Sequence, residues 1–196
     1  MDFKKMLNEE ADEMLRYKYL ESEKAGRDLG DECMVKWPPK HGEAFRVGYY
    51  QRNMMDLGDG KKPVYFGIFL DGGSRDELIA RFGDLVPEGW RMVCHHCTIS
   101  FGDPSDDPEV FEFLARNLGK TVEMEVASVG ISEKAIALGV KGNFRSKNAV
   151  PHITLAVPPD GKPANSNKIE NWRGTEPGCI VTGVVDAFPS HFGWKH

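Results

Sequence analysis

Two short apolar segments of the chain each carry the pattern His-x-Thr, and they constrain the fold more than any other feature. The first places His96 and Thr98 around a cysteine, and the second places His152 and Thr154 around an isoleucine. Both segments have the apolar and β-branched content of strands, in which residues two positions apart point to the same face. If the two strands are neighbours, two imidazoles and two hydroxyls converge on one side of a sheet.

The composition indicates a globular protein with an acidic balance. Of its 196 residues, 40% are hydrophobic and 28% are charged, which suits one domain with a short extension. The formal net charge is −5, whereas proteins that grip long nucleic acid usually carry a basic excess. We therefore expect a small anionic ligand, or an anion held in a local basic pocket.

The hydropathy pattern argues against a membrane protein. No apolar run approaches the roughly 18 residues that span a bilayer. The N-terminal sequence also lacks the apolar stretch of a signal peptide. We therefore expect a cytoplasmic protein with no membrane partner.

The chain divides by sequence pattern into an N-terminal extension, residues 1–62, and a main domain, residues 63–196. Apolar residues recur at helical spacing over 3–20, which predicts an amphipathic helix. Residues 31–62 contain Trp-Pro-Pro and Asp-Leu-Gly-Asp-Gly, and these breakers predict irregular structure. Because long loops in compact domains are often functional, we hypothesise that the extension is a lid over the site. The alternative is a solvated loop.

The main domain shows a regular order of strand, helix, strand, helix and then mainly strands. A capping box that begins at Ser74 predicts the first helix, which Gly83 can end. Asp107, followed by proline, predicts the start of the second helix. We predict strands over residues 64–70, 91–101, 121–129, 134–140 and 179–185, and over the second motif. This order predicts an α+β domain with a mostly antiparallel sheet and helices packed outside.

Strand alternation predicts which neighbours of the first motif share its face. Over a strand of residues 91–101, Cys94 and Ser100 fall on the face of His96 and Thr98. His95 falls on the opposite face, so we expect it to be structural.

The four cysteines, at positions 33, 94, 97 and 179, are too sparse for a disulfide scaffold. The run from Cys94 to Cys97 could be mistaken for half of a zinc site. Zinc knuckles need a turn between their cysteines and usually a second pair nearby. In a strand Cys94 and Cys97 would face opposite ways, so we expect neither a metal nor another cofactor. A zinc-dependent hydrolase stays as an alternative.

With its two motifs the chain resembles the 2H phosphoesterase superfamily, in which two His-x-Thr/Ser motifs lie on neighbouring strands. The resemblance covers roughly residues 63–190. It implies a two-lobed, internally duplicated α+β fold in which His96, Thr98, His152 and Thr154 are catalytic. Members include RNA 2',3'-cyclic phosphodiesterases, the cyclic phosphodiesterase parts of tRNA ligases, RNA-end exonucleases and phage enzymes that destroy cyclic-nucleotide signals.

The four motif residues have the chemistry that such a reaction needs. Imidazole titrates near neutrality, so two of them can act as base and acid. Threonine hydroxyls can donate hydrogen bonds to the non-bridging phosphate oxygens, where charge builds in the transition state. The sequence does not decide between the imidazoles, and our working assignment makes His96 the base and His152 the acid.

Two loops carry the candidate substrate-binding residues. Before the second motif, Arg145 and Lys147 could pair with a phosphate, and Phe144 could stack on a base. After it, Ser166 and Asn167 could reach a base edge or a ribose. The alternatives are a solvated basic loop and a polar turn.

These observations favour a metal-independent phosphodiesterase that acts on small or terminal nucleotide phosphodiesters. The substrate would be a 2',3'-cyclic phosphate end of RNA, a cyclic nucleotide or a cyclic oligonucleotide. Degradation of cyclic oligonucleotide immune signals, as in phage enzymes, is one alternative. A non-catalytic nucleotide-binding module is another, and the oligomeric state stays open.

Overall fold

The computed structural model describes residues 3–57 and 60–191, without the side chains of Phe3 and Pro177. It divides the chain into two compact units, Met1–Lys62 and Pro63–His196. The helices of the first unit are α1 (Phe3–Ala25), α2 (Glu32–Val35), a π-helical turn (Pro38–Gly42) and α3 (Glu43–Asn53). No helix within the described residues is long and apolar enough to cross a bilayer.

The first unit is more helical than its sequence predicts. The amphipathic helix is confirmed, and it continues to Ala25. The prediction of irregular structure over residues 31–62 is wrong, because most of this segment is helical up to Asn53. Pro38 and Pro39 occupy the first turn of a helix, where a missing N–H breaks no bond.

Buried aromatic side chains stabilise the helices of the first unit, which the local sequence does not predict. Trp37 and Tyr49 are almost fully buried, and Phe45 packs against both rings at centroid distances of 5.8 and 6.4 Å. Arg46 on α3 also donates to Glu10 on α1 at 2.7 Å. Short helices depend on such tertiary contacts, and a search of the sequence for helix-breaking residues does not detect them.

The second unit consists of an antiparallel sheet with two α-helices. The helices are α4 (Gly72–Phe82) and α5 (Pro108–Asn117), with 3₁₀ turns at Gly83–Leu85 and Pro163–Lys168. The strands are β1 (Tyr65–Leu70), β2 (Arg91–Met92), β3 (His96–Phe101), β4 (Thr121–Ser132), β5 (Ala135–Lys141), β6 (His152–Val157) and β7 (Trp172–Phe188). All pairings among these strands are antiparallel. The predicted α+β class is therefore confirmed.

The sheet closes on itself. In the part of the chain that is described, seven strands follow the order β2-β6-β3-β1-β7-β4-β5, and β5 also pairs with β6. Strands β3, β1, β7, β4, β5 and β6 thus form a ring, with β2 attached to β6. The ring divides into the halves β3-β1-β7 and β6-β5-β4, each with a His-x-Thr strand at the same end. This arrangement agrees with a two-lobed, duplicated layout.

The two helix starts differ in how well the sequence predicts them. For α5 the prediction is confirmed, since Asp107 caps the helix by accepting hydrogen bonds from Glu109 and Val110. For α4 the Ser74 cap is wrong. Asp71 caps this helix and accepts a 2.8 Å bond from the Ser74 amide, so the helix begins at Gly72, two residues before Ser74.

Asp71 also holds α4 to the sheet. Its carboxylate accepts hydrogen bonds from the hydroxyls of Ser74 and Thr182, the latter on β7. The bond from the Ser74 amide is the main cause that lowers the pKa of Asp71, followed by the bond from Thr182.

We expect Asp71→Ala to lower the free energy of unfolding by about 1 kcal/mol, because an N-cap is lost. Urea unfolding followed by circular dichroism measures this change, with the exposed Asp76→Ala in the same helix as the control. Because the folded-state pKa of Asp71 is lowered, its contribution is complete above the unfolded pKa and is lost as the pH falls through the folded pKa. Equal stabilities of the two variants at neutral pH would contradict the capping role.

Candidate active site

The two motif strands are neighbours, and their register places the motifs side by side. Cys97 on β3 is paired with Ile153 on β6, and both side chains are fully buried. Because the strands are antiparallel, His96 lies next to Thr154, and Thr98 lies next to His152. All four flank a core-facing pair, so alternation places them together on the opposite face.

The His152 imidazole is held in one orientation. Its Nδ1 lies 2.7 Å from the backbone carbonyl oxygen of Val150, and its ring lies 5.8 Å from that of Trp172. In the neutral imidazole Nδ1 therefore donates, and Nε2 carries the lone pair. Only 7% of the residue is exposed, and this burial lowers the pKa of His152, against an opposing effect of the Val150 bond. His152 is thus predisposed to be neutral and to accept a proton at Nε2.

Two glycines make room for the Trp172 ring beside His152. A Cβ atom at Gly130 would lie 2.9 Å from this ring, and one at Gly139 would lie 3.2 Å from it. Gly139 is the β5 partner of His152, and the Trp172 indole donates to the Ile169 carbonyl at 3.0 Å. Sequence reasoning missed Trp172, although glycines inside strands signal a close approach of this kind.

The His96 imidazole lies among aromatic rings of β1. Its ring centroid is 4.9 Å from that of Tyr65, at an interplanar angle of 22°, and 5.3 Å from that of Phe69. Gly67 lies between these two residues on the same face of β1. A Cβ atom at Gly67 would come within 2.9 Å of the Cys97 carbonyl oxygen and 3.4 Å of the His96 ring. The missing side chain therefore lets β3 and its imidazole approach β1.

The prediction that His95 faces away from His96 is wrong. The Nδ1 atoms of the two imidazoles are 3.3 Å apart, and one must donate while the other accepts. The single strand predicted over residues 91–101 is two strands, because Cys94 adopts a φ of 38°, in the left-handed region. This residue interrupts the alternation and donates its backbone N–H to the Thr154 carbonyl at 2.9 Å. The kink brings His95 beside the catalytic candidate.

The prediction that Ser100 shares the site face is also wrong. Phe66 pairs with Ser100 while Gly67 pairs with Thr98, so β3 carries one extra residue between them. This bulge reverses the alternation. Ser100 is buried on the core side, where its hydroxyl has no hydrogen-bond partner among the described residues.

Ser166 lies behind Thr154. The two hydroxyl oxygens are 2.7 Å apart, and both lie within hydrogen-bond distance of the Pro163 carbonyl oxygen, Ser166 at 2.7 Å and Thr154 at 3.4 Å. Because the Ser166 hydroxyl has one proton, it accepts from Thr154 whenever it donates to the Pro163 carbonyl. Only 1% of Ser166 is exposed, whereas Asn167 beside it is exposed. Ser166 is therefore placed to orient Thr154.

The loop before the second motif is bound to the first motif strand. The Ser146 hydroxyl donates to the Thr98 carbonyl at 2.9 Å, and the Lys147 amide donates to the Ile99 carbonyl at 2.8 Å. Both cations of this loop are paired with carboxylates. Arg145 donates to Glu109 at 2.9 Å, and the Lys147 ammonium pairs with Asp106.

The aromatic residue of this loop, Phe144, is 7% exposed. This burial leaves little ring surface on which a base could stack. Phe144 packs closely against the backbone of Gly142, where a Cβ atom would lie 3.0 Å from the ring. The structure therefore supports a packing role for this side chain.

The cysteines around the first motif do not have the character of zinc ligands. Burial raises the pKa of the Cys94 thiol to about 11 and that of the Cys97 thiol to about 12. Zinc binds the thiolate, which these surroundings disfavour. Across residues 3–57 and 60–191, no three His, Cys, Asp or Glu side chains are grouped as a metal site requires.

Comparisons with known proteins give remote structural likenesses. No family model and no curated protein matches the sequence. A fungal RNA kinase is similar at 14% identity and a TM-score of 0.41, over 88% of this chain and 52% of the kinase. Escherichia coli LigT, in complex with NADP+, is similar at 15% identity and a TM-score of 0.37, over 64% of this chain and 92% of LigT. This chain thus spans about half the length of the kinase.

We expect the His152 imidazole to titrate below about 6.5, the value of an unperturbed histidine, because burial disfavours its charged form. An NMR titration of the histidine ring protons measures the midpoint, with a short unstructured histidine peptide as the reference. The unfolded chain would then bind more protons than the folded one just below pH 6.5, so stability should fall as the pH drops through this window. A His152 midpoint at or above that of the peptide would contradict the expectation.

Proposed function

We propose that this chain is a metal-independent phosphodiesterase that cleaves nucleotide phosphodiesters with His96 and His152 as its acid–base pair. The observation that carries the proposal is the pairing of Cys97 with Ile153, which places both His-x-Thr motifs on one face. The resemblance of these motifs to those of 2H phosphoesterases supports the reaction class. The substrate class is a 2',3'-cyclic phosphate end of RNA or a cyclic nucleotide.

His152 is the better candidate for the base, which reverses our working assignment from sequence. Its Nδ1 contact to Val150 directs the neutral tautomer, and burial lowers its pKa. For a cyclic phosphate, His152 Nε2 takes a proton from water as the water oxygen bonds to phosphorus. The bond from phosphorus to one ribose oxygen breaks in this step.

His96 then serves as the acid that protonates the departing ribose oxygen. The contact with His95 suits this role, because a protonated His96 can donate from Nδ1 to a neutral His95. The Nε2–H of His96 delivers the proton to the leaving oxygen. The proton that His152 gained returns to solvent or to His96 before the next cycle, so the catalyst is regenerated.

The threonines complete the proposed machinery as donors to the non-bridging oxygens. When Ser166 donates to the Pro163 carbonyl, Thr154 donates to Ser166, and both hydroxyls rotate when Thr154 turns its proton towards a phosphate. Ser166 would then donate to Thr154, which keeps the Thr154 lone pair satisfied. Donors fixed in this way stabilise the charge that develops in the transition state.

We expect the wild-type protein to hydrolyse at least one member of a small substrate panel in excess EDTA. The panel contains a 2',3'-cyclic mononucleotide, an RNA with a 2',3'-cyclic phosphate end, and cyclic di- and trinucleotides. His96→Ala and His152→Ala should each lower kcat by about 10²- to 10⁴-fold, because each removes a proton-transfer group. His41→Ala, in the first unit, is the matched control.

The outcomes of this assay separate the alternatives. Loss of activity in EDTA would indicate a metal-dependent hydrolase. Tight binding of one panel member without turnover would indicate a non-catalytic binding module. The best substrate distinguishes an enzyme of RNA ends from one that degrades cyclic oligonucleotide signals.

We expect Thr154→Val to lower kcat by about 10²-fold, since it removes a donor to the phosphate but keeps the side-chain shape. Thr154→Ser keeps the hydroxyl and should retain most of the activity. Steady-state kinetics on the best panel substrate measure both variants, with Thr121→Val on an exposed part of β4 as the control. If Thr154→Val kept the wild-type kcat, Thr154 would not donate a hydrogen bond to the phosphate in the transition state.

A further inference from the structure

Three aromatic side chains lie in one row across neighbouring strands. Tyr65 on β1 is paired with Phe101 on β3 and with Phe188 on β7. Residues directly opposite each other in antiparallel strands share a face, so the three rings lie on the same side of the sheet. We call these three residues the aromatic row.

The aromatic row lies on the face of the candidate site. Its central ring, Tyr65, is stacked with Phe188 at a centroid distance of 5.4 Å and an angle of 16°, and with His96 at 4.9 Å and 22°. The rings of Phe188, Tyr65 and His96 are therefore nearly parallel and form a series from the exposed Phe188 to the imidazole. The β3 bulge contributes to this arrangement, because without the extra residue Phe101 would point into the core.

The outer members of the row are exposed to solvent. Phe101 is 75% exposed and Phe188 is 44% exposed, although both are large apolar residues. The residues that precede them along the strands, Ser100 and Ala187, are buried, so the strands themselves are well packed. Stability does not explain why phenylalanine occupies these positions, whereas a planar ligand would.

The shape and extent of the row fit the bases of single-stranded RNA. Open strand faces with parallel aromatic rings bind unpaired bases by stacking. The row crosses three strands, so Phe101 and Phe188 are about 10 Å apart along the sheet, since neighbouring strands are about 4.8 Å apart. This width accommodates more than one base. Thr98 and Phe101 are also roughly 10 Å apart along the strand. One or two nucleotides attached to the scissile phosphate can span this distance.

We propose that the aromatic row binds the bases that precede the scissile phosphate, so that the preferred substrate is a single-stranded RNA end. The choice of this occupant rests on the proposed function. Stacking dominates this interaction, because the nearby cations Arg145 and Lys147 are already paired with carboxylates. The affinity should therefore depend only weakly on salt, unlike that of proteins that bind RNA through its phosphates.

The test measures binding without requiring turnover. The probe is a tetranucleotide RNA with a 3'-phosphate and a 2-aminopurine at its last or penultimate position, whose fluorescence is quenched by stacking. We expect quenching on binding to the full chain. Phe101→Ala and Phe188→Ala should each raise Kd by about 5- to 100-fold, as expected for the loss of one base–aromatic stack.

Matched variants separate stacking from general effects. Ile131→Ala on β4 and Ile180→Ala on β7 each remove a side chain that is 54% exposed, and they should leave Kd unchanged. Phe101→Leu keeps apolar surface without the flat ring, so it should weaken binding like the alanine variant. The same RNA with an abasic site in place of 2-aminopurine, measured by competition against the fluorescent RNA, should bind wild type and Phe101→Ala with similar, weak affinity.

The two proposals fail in different ways. Wild-type Kd for both phenylalanine variants, or equal binding of the intact and abasic RNAs, would overturn the base-binding row whatever the catalytic result. The choice of an RNA end would be overturned if a cyclic dinucleotide bound more tightly than the tetranucleotide and if Phe101→Ala and Phe188→Ala abolished that binding. Ring-dependent RNA binding without hydrolysis in the EDTA assay would support the row and contradict the phosphodiesterase.

Discussion

The antiparallel pairing of β3 with β6 is the constraint on which the candidate site depends. Cys97 and Ile153 meet at this pairing and are both fully buried, so the core holds them in register. A slip of one residue would move a histidine or a threonine into the core and its apolar neighbour to the surface. The free energy of burying the central residues thus also fixes the positions of the polar residues on either side.

Each half of the sheet supports its imidazole by a similar device. His96 lies among the rings of β1, over the backbone of Gly67, and His152 lies against Trp172, for which Gly139 makes room. Glycines inside strands weaken a sheet, and here they let a large ring or a neighbouring strand approach closely. Imidazoles packed in this way keep one orientation, as proton transfer to a bound substrate requires.

Two local irregularities of the first motif strand decide which other residues surround the site. The left-handed backbone of Cys94 brings His95 into contact with His96, and the bulge after Thr98 exchanges the faces of Ser100 and Phe101. Both irregularities are bonded to groups outside β3, since the Thr154 carbonyl accepts from the Cys94 amide and the Lys147 amide donates to the Ile99 carbonyl at the bulge. They convert a regular strand into one that presents an imidazole pair and an exposed aromatic ring.

The sequence by itself determined the features that depend on short-range patterns. The two His-x-Thr strands, the α+β class and the start of α5 at Asp107 follow from alternation, element order and capping, which act over a few residues. Only the tertiary structure decided the surroundings of the site, including the contact of His95, the burial of Phe144 and the position of Ser166 behind Thr154. It also decided that residues 32–53 are largely helical. The physical reason is that strand register, bulges and ring packing depend on partners distant in the chain, whereas a local pattern reports only on its own neighbours.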